Sequence, residues 1–336
     1  MAMASAASVE SSSSAVTLRG VTKTFGETMA VGHFDLAIPR GALYGFIGPN
    51  GAGKTTSIRL IMSILFPDSG EVSVLGRVSA LEAKDRIGYL PEERGVYRKM
   101  KVGAYLEFIA SIKGVASRAI AGRIRNLLER VGLPEVEGKR CEELSKGMLQ
   151  KIQFAAAVIH EPDLLILDEP FSGLDPVSMR LLRDLVLAEH ARGATILFST
   201  HVMPQAEELC EHVVMIHRGT KVLDDPVNAI RNRYEARTLV FEPLDAGADV
   251  GVVLSLPGVA SCDRADAGYE VQLREGTDVG DAMRQLAAAL RVSRIEVKRP
   301  RLEDIFIQLV TGNTASAETA HGLRAELRAG TKAEAQ

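Results

Sequence analysis

Unbroken apolar runs alternate with stretches of helical spacing along the first two thirds of the chain. Leu43-Tyr44-Gly45-Phe46-Ile47 and Leu164-Leu165-Ile166-Leu167 are runs suited to strands buried on both faces of a sheet. Ala194-Thr195-Ile196-Leu197-Phe198-Ser199-Thr200 reads the same way and ends on His201. Val16-Thr17-Leu18 and Phe34-Asp35-Leu36-Ala37-Ile38 read as short strands beside a turn at Thr24-Phe25-Gly26-Glu27, and Gly70 to Gly76 and Arg86 to Pro91 as two more. Helical spacing marks Ser57 to Leu65, Tyr105 to Ile109, Ile120 to Val131 and Met148 to His160. Strands alternating with helices predict an α/β domain.

The pattern restarts after a predicted helix from Pro226 to Arg233. Arg237 to Phe241, Ala260 to Cys262, Tyr269 to Leu273 and Ser293 to Val297 read as strands. Apolar Val252-Val253-Leu254 and a helix with Met283, Leu286, Ala287 and Leu290 on one face lie between them. This β-α-β-β-α-β order predicts a small ferredoxin-like α+β unit, closed by an amphipathic helix through Leu302, Ile305, Phe306, Leu309 and Val310. The expected domains are therefore 16–234, with a helical insert at about 100–160, and 235–311. Residues 1–15 form an Ala/Ser-rich leader expected to be disordered, and 312–336 a tail without an apolar stripe.

Chemistry enters between the first buried strand and its helix. Gly48-Pro49-Asn50-Gly51-Ala52-Gly53-Lys54-Thr55-Thr56 fills every fixed position of the phosphate-binding pattern G-x-x-x-x-G-K-[ST]. Glycines let successive N–H groups face phosphates, and the helix N-terminus adds partial positive charge. Lys54 reaches the outer phosphates, and the Thr55 hydroxyl suits Mg²⁺. The strand Leu164 to Leu167 delivers Asp168-Glu169 to its carboxyl end, where ligand sites of parallel sheets lie. That places Asp168 for the metal and Glu169 for an attacking water. Phe25 fits two roles, a nucleobase-stacking aromatic or a core residue. Ser145, ahead of the helix at Met148, fits an ordinary helix cap when taken alone.

Composition narrows the setting. The chain has 336 residues, 46% of them hydrophobic, so a large core in about two domains is expected. With 40 basic and 43 acidic residues it has no broad electrostatic case for nucleic acid. Cys141, Cys210 and Cys262 lack zinc or disulfide spacing, which favours a reducing compartment. No apolar run approaches the roughly 20 residues of a membrane helix.

Taken together, residues from about Val16 to Asp224 resemble the ATP-binding subunit of an ABC transporter, with the family's motifs in order. Gly48 to Thr56 is similar to its Walker A loop, Leu164 to Glu169 to Walker B, and Leu144 to Met148 to the signature motif. Ser172-Gly173-Leu174-Asp175 resembles the D-loop, His201 the switch histidine, and Phe25 the stacking aromatic. The resemblance implies a P-loop NTPase fold that binds ATP and Mg²⁺, with Thr55, Asp168 and Glu92 at the metal. It further implies hydrolysis through Glu169 and His201, and a head-to-tail dimer, here expected to be a homodimer. In such a dimer Ser145, Lys146, Gly147 and Met148 of one copy meet the ATP of the other.

Two departures stand out. The signature reads Ser145-Lys146-Gly147-Met148 where Ser-Gly-Gly-Gln is commonest, and Glu92 occupies the Q-loop position where glutamine is usual. These forms resemble an exporter subgroup whose ATPase is a separate chain with an added C-terminal domain. The implied partners are polytopic membrane permease subunits that hold the chain at the cytoplasmic face of the membrane. A soluble ABC ATPase switching ribosomes or DNA, and a nucleotide-binding regulator without turnover, are the rival readings. The C-terminal unit is open between a regulatory or dimerisation role and a structural appendage.

Overall fold

The computed structural model describes residues 14–311, apart from 94, 235, 236, 246, 266, 267 and 299. Those residues fall into two compact units, one running to Val227 and resuming at Phe306, the other Asn228–Ile305. The division thus falls ahead of the expected 234/235 boundary. Residues 1–13 and 312–336, to which most of the expected leader and the whole tail belong, lie outside the described residues.

The first unit is built on a six-stranded sheet ordered β5-β6-β7-β3-β8-β9. Its strands are β3 (Leu43–Ile47), β5 (Ile87–Leu90), β6 (Leu164–Asp168), β7 (Thr195–Thr200), β8 (His212–His217) and β9 (Thr220–Pro226). The pairs β5/β6, β6/β7, β7/β3 and β3/β8 are parallel, and β9 returns antiparallel along β8. Every residue of β3, β6 and β7 is buried, as a strand covered on both faces requires. Parallel order aims the carboxyl ends of β3, β6 and β7 the same way, so Ile47, Asp168 and Thr200 end side by side.

A second sheet, ordered β2-β1-β4, is antiparallel and packs into the same core through Val16, Leu18, Phe34, Leu36 and Ile38. Strands β1 (Ser14–Phe25) and β2 (Thr28–Pro39) are twelve residues each, longer than the short runs at Val16 to Leu18 and Phe34 to Ile38 predict. Register shifts within the β1/β2 pair break the alternation that would have marked the full strands. Strand β1 also starts within the expected leader: Ala15 is fully buried, and its carbonyl accepts the Leu75 N–H at 2.7 Å. Strand β4 (Ser69–Val74) completes this sheet.

Helix α1 (Lys54–Ile61) stops short of the predicted Leu65. Ser63 takes a left-handed φ of 54°, the Ser63 N–H donates to Leu60 O and the Ile64 N–H to Arg59 O, which closes the helix as a Schellman motif. Helices α2 (Val102–Ile112), α3 (Ser117–Arg130) and α4 (Lys146–Val158) fall in the predicted helical insert. Leu127, Leu128 and Val131 are buried, as their shared face predicts. Two further helices, α5 (Pro176–Ala191) and α6 (Met203–Leu209), follow strands β6 and β7.

Helix α7 (Val227–Arg233) precedes a four-stranded antiparallel sheet ordered β11-β12-β10-β13. Its strands are β10 (Thr238–Pro243), β11 (Val259–Arg264), β12 (Tyr269–Leu273) and β13 (Val292–Lys298). That order, with α8 (Val279–Ala289) between β12 and β13, is the ferredoxin-like arrangement. The element expected between β10 and β11 is a 3-10 helix, Val250–Ser255, whose Val253 joins Leu239, Phe241, Val271 and Leu286 in the core. Helix α9 (Leu302–Thr311) closes the described chain.

Phe198, at the centre of β7, is wholly buried and meets Phe171 edge to face at 5.5 Å between ring centroids. Phe198→Ala should lower stability by about 3–5 kcal/mol, the usual cost of emptying an aromatic site. Urea unfolding followed by circular dichroism measures it, and an unchanged midpoint would remove Phe198 from the core.

Candidate functional site

The carboxyl ends of β3, β6 and β7 open on a cavity of about 580 Å³. Asn50 to Thr56, Glu92 and Glu169 line it, together with Thr28, Met29, Ala30 and Arg218. The loop after β3 is built around glycines for steric reasons. A Cβ on Gly48 would stand 2.2 Å from Ile216 O, and one on Gly53 would stand 2.4 Å from Ala30 O, with Gly53 also at φ 106°. Gly53 caps α1 in a left-handed conformation with no side-chain cap, which leaves the first N–H groups of the helix for an anion.

Lys54 is buried, and its Nζ donates to Gly48 O at 2.8 Å and to Pro49 O at 3.2 Å. The same ammonium lies 3.5 Å from Glu169 Oε1. His201 Nδ1 approaches that oxygen from the end of β7 at 3.1 Å. A cation, a carboxylate and an imidazole therefore meet at one point, all three nearly out of solvent. Glu169 holds this position with a left-handed φ of 48°, which turns the chain away from the line of β6. A strained non-glycine residue beside a cavity is a common property of functional sites.

One residue earlier, Asp168 is buried, and Oδ1 accepts the Ser199 hydroxyl at 2.5 Å and the Thr55 hydroxyl at 3.4 Å. Burial pushes its carboxyl above the usual range, opposed by those two hydrogen bonds. Oδ2 is buried without a hydrogen-bond partner among the described residues. An orphaned carboxylate oxygen beside a threonine hydroxyl is a hard oxygen set that fits Mg²⁺. Ser199 completes the network by accepting the Glu169 N–H at 3.1 Å.

Several predicted residues stand apart from the cavity. Ser145 caps α4, its hydroxyl accepting the Met148 N–H at 3.3 Å. Ser145 and Lys146 are exposed, Gly147 and Met148 half-buried, and none of the four lines the cavity. Asp175 caps α5 by accepting the Val177 and Ser178 N–H groups, each at 3.0 Å. The Ser178 side chain first, and then the Ser178 and Val177 N–H groups, hold its carboxyl below the usual range by hydrogen bonding. Phe25 is 48% exposed at the end of β1, which sets aside its core reading, with Lys23 Nζ 5.7 Å from its ring centroid. It does not line the cavity, whereas Thr28, Met29 and Ala30 on the next strand do.

Sequence reasoning passed over Ser199, Arg218 and Gln150. Ser199 lies in a run singled out only for the histidine at its end, and Arg218 carries no motif. Gln150, buried in α4, donates to Pro170 O and so ties the helix behind Ser145 to the segment following Glu169.

Comparison with known proteins points to one family. The profile of the family described as ABC transporter matches residues 31–172. A second, described as ATP-binding protein DrrA1-3-like, C-terminal domain, matches residues 226–310. The ABC transporter ATP-binding protein YhaQ of Bacillus subtilis is 39% identical over 295 residues, covering 88% of this chain and 98% of its own. The bacitracin transport ATP-binding protein BcrA of Enterococcus faecalis is 31% identical over 299 residues, covering 87% and 95%. A solved ATP binding subunit of an ABC transporter superposes with a TM-score of 0.61 at 28% identity, over 65% of this chain and 92% of that one.

Because Lys54 is aimed into the loop where outer phosphates would lie, Lys54→Ala should bind ATP about 10- to 100-fold more weakly while keeping the fold. Titration calorimetry with a parallel circular dichroism spectrum tests this. Parental affinity in the variant would remove Lys54 from the site.

Proposed function

The chain belongs to the ABC transporter ATP-binding proteins, and from that premise we propose that it hydrolyses ATP to power a membrane exporter. The observation that carries the catalytic part is the meeting of Lys54, Glu169 and His201 at one buried point beside Asp168. Among the described residues no helix is long and apolar enough to cross a membrane. Separate polytopic permease subunits would hold the chain at the cytoplasmic face of the membrane. Relatives named for bacitracin transport and, in Escherichia coli, as a probable multidrug ABC transporter protein favour export over a switch on ribosomes or DNA. An intact Asp168, Glu169 and His201 set argues against a regulator without turnover.

In the proposed reaction the Walker loop N–H groups and Lys54 hold the outer phosphates, which requires the ammonium to leave Gly48 O and Pro49 O for phosphate oxygens. Glu169 orients water and accepts its proton as the oxygen attacks the γ-phosphorus and the bond to the β,γ-bridging oxygen breaks. His201 fixes the Glu169 carboxylate from the side and faces the γ-phosphate. Thr55, Asp168 and Glu92 would hold Mg²⁺, whose contribution when bound would be to offset phosphate charge. Phe25 supplies an exposed face for the base. The Ser145 to Met148 segment and Asp175, which do not line their own cavity, serve that of a second copy in a head-to-tail homodimer. Closure and reopening of that dimer would be the stroke transmitted to the permease.

Two sets of variants test this reading. Glu169→Gln keeps shape but is a far poorer proton acceptor, so ATP turnover should fall about 10²- to 10⁴-fold while ATP binding persists. With Mg²⁺ and ATP the variant should sediment as a dimer, in the assembled complex if permease subunits are needed. Turnover at the parental rate would sink the assignment of Glu169, and a slow variant that stays monomeric even in the complex would sink the composite site. For the metal, Glu92→Gln should keep activity within about tenfold because it retains an oxygen donor, whereas Glu92→Ala should raise the Mg²⁺ requirement. Identical Mg²⁺ titrations of both variants and the parent would remove Glu92 from the metal.

A further inference from the structure

The cavity has a second cation that no motif predicts. Arg218 sits in the tight turn between β8 and β9, is exposed, and lines the cavity with Asn50 to Thr56. Its backbone takes a left-handed φ of 47°, a conformation unfavourable for a residue with a Cβ. Glycine or asparagine would relieve that strain. The turn itself is fixed: the Gly219 N–H donates to Ala52 O at 2.8 Å, and Gly219 O accepts the Gly32 N–H at 2.9 Å. It is therefore pinned to the phosphate loop on one side and to β2 on the other. Close packing leaves no slack, since a Cβ on Gly219 would meet Ala30 O at 2.9 Å. Among the described residues Arg218 makes no ion pair, unlike Lys54, which faces Glu169.

Its place along the cavity follows from its neighbours. Glu169 and His201 mark the end where the terminal phosphate reacts, and Asp168 and Thr55 the metal. Gly219 lies instead against Ala30 and Gly53, on the side of the loop reached from Thr28 and Met29. We propose that Arg218 is a nucleotide-positioning residue whose guanidinium binds the inner phosphates of ATP, at the end of the cavity away from Glu169. Strain in the turn is then the cost of aiming a cation where a more compatible residue could supply none. A planar guanidinium with several donors suits phosphate oxygens next to the ribose, a position the Lys54 ammonium does not reach when it holds the outer phosphates.

This inference rests on the nucleotide reading of the cavity, and the test separates the two. In the full-length chain, Arg218→Gly and Arg218→Asn both suit the left-handed turn, so each should keep or raise the thermal midpoint. Each should bind ATP and ADP about tenfold more weakly by titration calorimetry, the loss expected for one charge-assisted contact. Arg218→Lys should recover part of the loss. Equal losses for ATP and ADP follow because the contact is with phosphates the two share. Parental affinity in both neutral variants, with Lys54→Ala impaired, would overturn the role of Arg218 and leave the nucleotide site standing. A loss for ATP alone would overturn its placement at the inner phosphates. Parental affinity in Lys54→Ala as well would overturn the nucleotide reading and this inference with it.

Discussion

The Ser199 hydroxyl holds the centre of the molecule together. It donates to Asp168 Oδ1 at 2.5 Å and accepts the Glu169 N–H at 3.1 Å, so one side chain of β7 fixes both acidic residues at the end of β6. Thr55, at the start of α1, reaches the same Asp168 oxygen. Two neighbouring strands of the central sheet and its first helix are thereby locked through a single buried carboxylate. Such a group is costly to bury, and the network offsets that cost only while each partner is present. Its other oxygen, Oδ2, has no hydrogen-bond partner among the described residues.

Backbone constraints also act around this point. Gly48 and Gly53 cannot carry a Cβ without striking carbonyls of Ile216 and Ala30, so the loop is pressed against β8 and β2. Glu169 and Arg218 hold left-handed backbone although neither is glycine. Both line the cavity, and each carries a charge there that glycine would lack. Packing fixes the loop, whereas the proposed nucleotide site would account for the two strained residues.

Legibility in the sequence follows the range of the interactions. The buried strands were readable because Leu43 to Ile47 and Leu164 to Leu167 are apolar without interruption, and the phosphate loop because its residues are contiguous. The ferredoxin-like order was readable from strand spacing, although the first helical element proved a 3-10 turn at Val250–Ser255. Helix α1 ended early because Ser63 adopts a conformation that its residue type does not advertise. The lengths of β1 and β2 were hidden by register shifts. Ser199 and Arg218 escaped notice because each acts across sheet neighbours distant in the chain, on Asp168 and on the Ala52 loop, and no local pattern encodes such a pairing.

The two departures from the usual family motifs make more sense together than apart. Glu92 lines the cavity and adds a negative charge where glutamine is neutral. Lys146 is exposed at the start of α4, outside its own cavity, and adds a positive charge where glycine is common. Within one chain they do not share a site. In the proposed head-to-tail dimer Glu92 of one copy and Lys146 of the other would enter the same composite site, where the two added charges would cancel. A lone lysine facing the γ-phosphate would strengthen ATP binding at the expense of reopening, and a lone glutamate would weaken closure by repelling the triphosphate. Carried together in the proposed dimer, the two opposite charges would offset each other, and neither of those effects would act alone.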